Sequence, residues 1–181
     1  MTPGYNTSSK NPVERLINLK NARKSFRILL GIIPKLDEEE GKGKKPRSRF
    51  KIGEAVKIQF ESEKDCYLTL VDIGTSGRVH VIIPSAFNVD NFVKGGRELL
   101  YPEGSWDVAA MIQGPTGTER IKAIVTLDPI NLFDIDLRDA RAISYTIAES
   151  ELDSRITKLQ KKLDSLESTS WSEALCEFKI V

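Results

Sequence analysis

Between Phe50 and Pro129 the chain is a succession of short stretches in which apolar and polar residues alternate: FKIGEAVKIQF, CYLTLVDIG, GRVHVIIPSAFNVDNFVKGG and SWDVAAMIQGPTGTERIKAIVTLDP. Turn residues break them at intervals of about 8–12 residues, the spacing of sandwiches and barrels. A period of two sends successive side chains to opposite faces, which a strand can use and a helix cannot. The pattern therefore predicts a mainly β chain, an antiparallel β-sandwich with a helix before it and a helical insertion ahead of its last strand.

Eight strands are expected. The first covers 26 to 33, where Phe26, Ile28, Leu30 and Ile32 alternate with Leu29 and Ile33, and Pro34 stops it. Val56, Ile58 and Phe60 face one way with Lys57, Gln59 and Glu61 opposite, so that strand has one wet face. CYLTLVDI differs: Leu68 and Leu70 lie on one face, Tyr67, Val71 and Ile73 on the other. Such a strand is covered on both sides, and the terminal helices are the candidates for its second cover. Gly74 to Gly77 turns the chain into Val79, Val81 and Ile83; a loop returns it to a short strand near Glu98 to Tyr101. Trp106 to Ile112 and Arg120 to Leu127 read as a hairpin around GPTGTE, and Cys176, Phe178 and Ile180 form the last strand.

Helical signals stand at both ends. Asn11 as N-cap, Pro12 at the first position and Glu14 at N3 open an amphipathic helix reaching about Arg23. The helical insertion is placed at 136–167, and in it Leu152, Ile156, Leu159, Leu163 and Leu166 recur at 4-3-4-3 spacing, a coiled-coil seam. So much apolar surface must be buried, at roughly 1.5–3 kcal/mol for each side chain. The favoured reading docks the seam on the chain's own sheet; the other gives it to a partner helix or a second copy, making a homo-oligomer. Residues 1–24 then form a loose arm and short helix, and 25–181 the sandwich domain with its insertion.

Composition limits the chemistry. The 181 residues suffice for one domain with a real core. With 27 Lys and Arg against 26 Asp and Glu, the formal charge of +1 supplies no general field for nucleic acid or an anionic membrane. Cys66 and Cys176 are too few for a disulfide framework, and the first residues lack an apolar leader. The expectation is a soluble protein of the cytoplasm. No GxSxG, HExxH, CxxC or Walker-type motif occurs. His80 is the only histidine, read as structural and on the wetter strand face. No catalytic residue, metal site or cofactor is expected. Asn88, Asp90 and Asn91 resemble cation ligands only in having oxygen atoms, and ordinary loop formation explains them better. LDEEEGKGKKPRSR (36–49) offers Lys42, Lys44, Lys45, Arg47 and Arg49 to phosphate, but its acidic half neutralises its basic half.

Taken together, FKIGEAVKIQFESEKDCYLTLVDIGTSGRVHVIIPSAFNVDNFVKGGRE, YPEG and GPTGTERIKAIVTLDP resemble the bacterial domain-of-unknown-function family DUF4384. The likeness runs over residues 26 to 129, and Trp171 with CEFKIV resembles the family's closing strand. Cys66 stands where the family pattern commonly has Gly, and Ser85 where it commonly has Asn. The resemblance implies an immunoglobulin-like sandwich, often linked to caspase-like peptidases or Ser/Thr kinases, with no catalytic set to carry over.

The expected function is a non-catalytic protein-binding adaptor or regulatory module acting with a separate enzyme, such as a caspase-like peptidase or a signalling kinase. Its contacts would be Phe87, Asn88, Asp90, Asn91 and Phe92 of the loop 84–96, or Leu152, Ile156, Leu159 and Leu163 of the seam. The alternative is nucleic-acid or phosphate-ligand binding through 42–49. A hydrolase with a carboxylate-based site ranks last.

Overall fold

Eleven strands, the longer of which follow the period-two pattern, form among the residues that the computed structural model describes, 11–35, 45–86, 88–103, 110–137 and 144–181. In chain order they are β1 (Ile28–Pro34), β2 (Arg49–Phe50), β3 (Ala55–Ser62), β4 (Cys66–Ile73), β5 (Val79–Ile83) and β6 (Phe92–Val93). They continue as β7 (Leu99–Tyr101), β8 (Ala110–Met111), β9 (Gly117–Thr126), β10 (Tyr145–Thr146) and β11 (Trp171–Ile180). Two helices, α1 (Pro12–Ile17) and α2 (Glu149–Asp164), complete the framework.

The strands form two sheets. In the smaller, β3 lies between β1 on one side and β7 with β8 on the other. The larger has the order β10-β5-β4-β9-β11-β2, with β6 added beside the start of β4. Pairing is antiparallel except between β2 and β11, which run parallel. Between the sheets lies the main core, built from inward residues such as Val56, Ile58, Phe60, Leu68, Leu70, Ala123 and Val125. This is the expected sandwich.

A third layer lies behind the larger sheet. Val71, Ile73, Val79, Val81 and Ile124 on its outer face pack against Leu16 of α1 and Leu152, Ile156, Leu159 and Leu163 of α2. The apolar second face of CYLTLVDI is thereby covered by the two helices, as its pattern requires. Arg15 fastens α1 to α2 through Asp153, Thr157 and Gln160. Arg155 and Lys162, on the other flank of α2, bond the carbonyls of Phe133 and Asn131.

Several boundaries differ from the sequence reading. The first helix ends at Ile17 rather than Arg23; the chain beyond it is held in a turn by Asn21, whose amide donates to the carbonyls of Ser168 and Trp171 at 2.8 Å each. The insertion is helical only from Glu149: Tyr145–Thr146 pairs with β5 as a strand, and residues 138–143 lie outside those described. The last strand begins at Trp171, well before Cys176. Of the strand expected over Trp106 to Ile112, Ala110–Met111 is paired and 104–109 lie outside the described residues. GPTGTE does not close a hairpin. It carries the chain from β8, which pairs with β3, to β9 in the opposite sheet, a crossing that alternation along each strand does not encode. Lys57 is buried on its strand's nominally wet face, where its ammonium donates to the carbonyl of Pro102. The turn at Gly74 to Gly77 is as read: Gly77 has φ +83°, a conformation that favours glycine.

Candidate functional site

The loop 84–96 is built by its own short polar side chains. Ser85 and Asn88 exchange backbone hydrogen bonds at 3.1 and 3.2 Å, closing its first turn. Asp90 Oδ1 accepts from the amide of Phe92 at 3.0 Å, an Asx turn that starts β6. Asn91 then acts almost as a strand residue of the larger sheet: its carbonyl accepts from the Leu68 amide at 2.8 Å, and its own amide group donates to the Leu68 carbonyl at 3.0 Å. Phe92 lies edge-on to Tyr67 with ring centroids 5.5 Å apart.

The loop's far end is pinned more closely. Gly95 donates to Asp65 Oδ1 at 2.8 Å and Gly96 to the Ser62 carbonyl at 2.7 Å. A Cβ on Gly95 would stand 2.6 Å from the Lys64 carbonyl carbon and 2.8 Å from the Asp65 nitrogen, both backbone atoms that cannot step aside. Gly95→Ala is therefore expected to lower stability by about 1–3 kcal/mol, the usual cost of overpacking; urea denaturation measures it.

A recess opens between this loop and β7. Its volume is 160 Å³; Leu68, Ile83, Leu99 and Tyr101 line it from the core, with Asp90, Lys94, Arg97, Glu98 and Glu103 among the charged groups at its edge. That volume is below the roughly 300–1,000 Å³ of small-molecule sites and suits one inserted side chain. Burial pushes the Tyr101 hydroxyl above its usual range, offset in part by a hydrogen bond with Asn88. Val89 is 60% exposed and Phe92 45% exposed, so apolar surface stands in water beside a charged rim. Asn88, Asp90, Asn91 and Phe92, expected together as contacts, all line this recess. Phe87 lies outside the described residues.

The other expected contacts are not gathered here. Leu152, Ile156, Leu159 and Leu163 are at most 5% exposed and packed on the larger sheet, so these side chains are covered within the chain. Lys45 and Arg49 are exposed; Arg47 pairs with Glu54 at 2.9 Å and lies 4.7 Å over the Phe50 ring, while Lys42 and Lys44 fall outside the described residues.

A second cleft, of 550 Å³, lies at the opposite end of β4 and was not anticipated. Asp72, Glu119 and His80 line it together with Arg78, Met111 and Gln113. Asp72 is in phase with Leu68 and Leu70, and Glu119 with Ile121, Ala123 and Val125, so both carboxyls belong to the inward faces of their strands. Burial, then the Glu119 charge, push Asp72 up to about 8; burial also raises Glu119. His80 does not stand on a free wet face: it is half-buried opposite Asp72, its Nδ1 2.8 Å from Thr146 Oγ1, and burial lowers its pKa ahead of the effect of Arg78. The signal in the sequence was an acid at inward parity in two neighbouring strands, visible only once their pairing is known. Among the described residues no group of three or more His, Cys, Asp and Glu side chains could hold a metal ion, and no helix is long and apolar enough to cross a membrane.

The model of the family described as Domain of unknown function (DUF4384) matches residues 49–129, the family that the sequence resembles. The matched span runs from β2 to just past β9 and carries the loop, the recess and both carboxyls, leaving out β1, α2 and β11. No curated protein and no solved structure matches the chain.

Proposed function

We propose that this chain is a non-catalytic protein-binding module that docks a partner at the recess of loop 84–96 and acts with a separate enzyme, a caspase-like peptidase or a signalling kinase. The observation that carries this reading is the pairing of two exposed apolar side chains, Val89 and Phe92, with a side-chain-sized recess rimmed by both signs of charge. Recognition surfaces have this anatomy: an apolar centre that loses water on contact and a polar rim that fixes register. The loop is also tied to the sheet at Leu68, Ser62 and Asp65, so little ordering remains to oppose binding. The link to a peptidase or kinase rests on the family resemblance alone.

The test is affinity capture from the native host with the wild type and with a Val89→Asp/Phe92→Ala double variant. One identified peptidase or kinase retained by the wild type, with its affinity reduced at least tenfold by the double variant at unchanged circular dichroism, is expected; each truncated anchor commonly costs about 1–2 kcal/mol at such a centre. Equal retention by both proteins places the contact elsewhere and removes the recess from the reading.

A further inference from the structure

We infer that Asp72 and Glu119 form a one-proton clasp, in which a single shared proton joins β4 to β9 beneath the crossover 112–117 and its loss loosens that end of the sandwich. This clasp lies at the end of β4 away from the recess and is independent of the proposed function.

The geometry comes from the register. Asp72 is directly opposite Ile121, and Glu119 lies two residues earlier on β9 with its side chain on the same face. Such diagonal neighbours have Cα atoms about 7–8 Å apart, within reach of a carboxyl pair. The register and the shared cleft place the two carboxyls where one can hydrogen-bond to the other, and such a bond is among the causes that raise Asp72, after burial and the Glu119 charge. Ionised carboxylates only accept, so this bond exists only while one of them carries a proton. Asp72 Oδ1 exposes less than 1 Å² and has no hydrogen-bond partner. A full negative charge on that atom would have neither water nor a donor to stabilise it, which places the proton on Asp72.

Among the described residues, His80 and Arg78 are the other ionisable groups that line the cleft. From β5 comes His80, opposite Asp72, with Arg78, which is exposed, just ahead of that strand; from β8 comes Met111 and from the crossover Gln113 and Pro115, none ionisable; across β9, Phe178 of β11 is opposite Glu119. Burial, then the Arg78 charge, lower the His80 pKa and so disfavour its charged form, and among the described residues Arg78 is the other basic group lining the cleft. The crossover rests on the same end, where Thr75 Oγ1 donates to the Pro115 carbonyl at 3.2 Å. When the shared proton leaves, two like charges face each other under this segment, with the hydrogen bond between them gone.

The sign follows from linkage. Asp72 binds its proton more tightly in the folded chain, near 8, than at its ordinary 3.8. The stabilisation is complete below about pH 4, declines as pH rises toward 8 and is gone above it; within that window the unfolding constant rises by up to tenfold per pH unit.

Infrared spectra of the full chain in D₂O test the clasp directly. Wild type is expected to show a protonated-carboxyl band at pH 7 that disappears by about pH 9, and Asp72→Asn to lack it. In Glu119→Gln the band should vanish at a lower pH, because the neighbouring charge is gone. Exchange protection of the Ile112 amide, which donates to the Glu54 carbonyl at the start of the crossover, corrected for intrinsic rate, should fall above pH 8 in wild type and stay level in Asp72→Asn. Absence of the band from wild type at pH 7 overturns the inference, as does a midpoint unmoved in Glu119→Gln. Equal loss of protection in wild type and Asp72→Asn removes the clasp from the crossover. Should Asp72→Asn not fold, the wild-type and Glu119→Gln series decides alone.

Discussion

Glu173→Ala is expected to destabilise the chain by about 3–5 kcal/mol, whereas Lys122→Met at its partner should cost much less or nothing. Lys122 is 0% exposed, on the face of β9 that meets the helices. Its ammonium donates to the carbonyls of Ile17 and Leu19 and lies 3.7 Å from Glu173 Oε2. Glu173 also pairs with Lys24 at 3.2 Å and accepts from the Asn21 amide at 3.3 Å. Removing the carboxylate strands a buried cation, while replacing the lysine by an apolar residue of similar length removes the charge that needed compensation. The two carbonyls released by Lys122→Met set the remaining cost. Urea denaturation of both variants gives the ordering, and a Lys122→Met loss as large as that of Glu173→Ala would refute the buried-charge account.

The same lysine sets a pH dependence. Burial lowers its pKa to about 8 from an unfolded value of 10.5, with Glu173 opposing the shift. Between those values the unfolded chain binds the extra proton, so this group makes the fold more stable as pH rises from about 8 to 10.5. In Lys122→Met that rise should be absent. It opposes in sign the contribution of Asp72, which falls up to about pH 8, so the two occupy adjacent windows and can be separated by variant.

Leu159→Ala is the second large effect. Leu159 is 0% exposed in the middle of α2, facing the larger sheet, and its truncation leaves a cavity between helix and strands. A loss of about 2–5 kcal/mol is expected. Because the seam is filled within the chain, the loss should not depend on protein concentration; a midpoint that shifts with concentration would show the seam working between chains. Isolated, a helix of 16 residues is marginal, so α2 owes its stability to this face.

How far the sequence reaches can be seen at particular residues. Alternation in β3, β4, β5 and β9 revealed the strands and their inward sides, because burial acts on each side chain separately and leaves its mark at every second position. The two-sided apolar character of CYLTLVDI even required a third layer, and the 4-3-4-3 leucines supplied it. Paired segments of two residues, β2, β6 and β10, are too short to carry a period and were missed. The crossing at GPTGTE was misread because turn residues report a change of direction without saying which sheet receives the chain.

The candidate sites divide along the same line. Asn88, Asp90, Asn91 and Phe92 are neighbours in the chain, so their loop was legible before the recess behind it. Asp72 and Glu119 lie 47 positions apart, from the numbering of the two residues, and acquire meaning only as neighbours across β4 and β9. Lys122 and Glu173 are likewise ordinary surface types until the register of β9 with β11 and the path of residues 17–21 bury them together. The sequence by itself determined which faces must leave water, since hydrophobic burial is local and additive along the chain. Only the tertiary structure decided which charged groups share one low-dielectric space, since an electrostatic interaction depends on distances between strands that no single segment records.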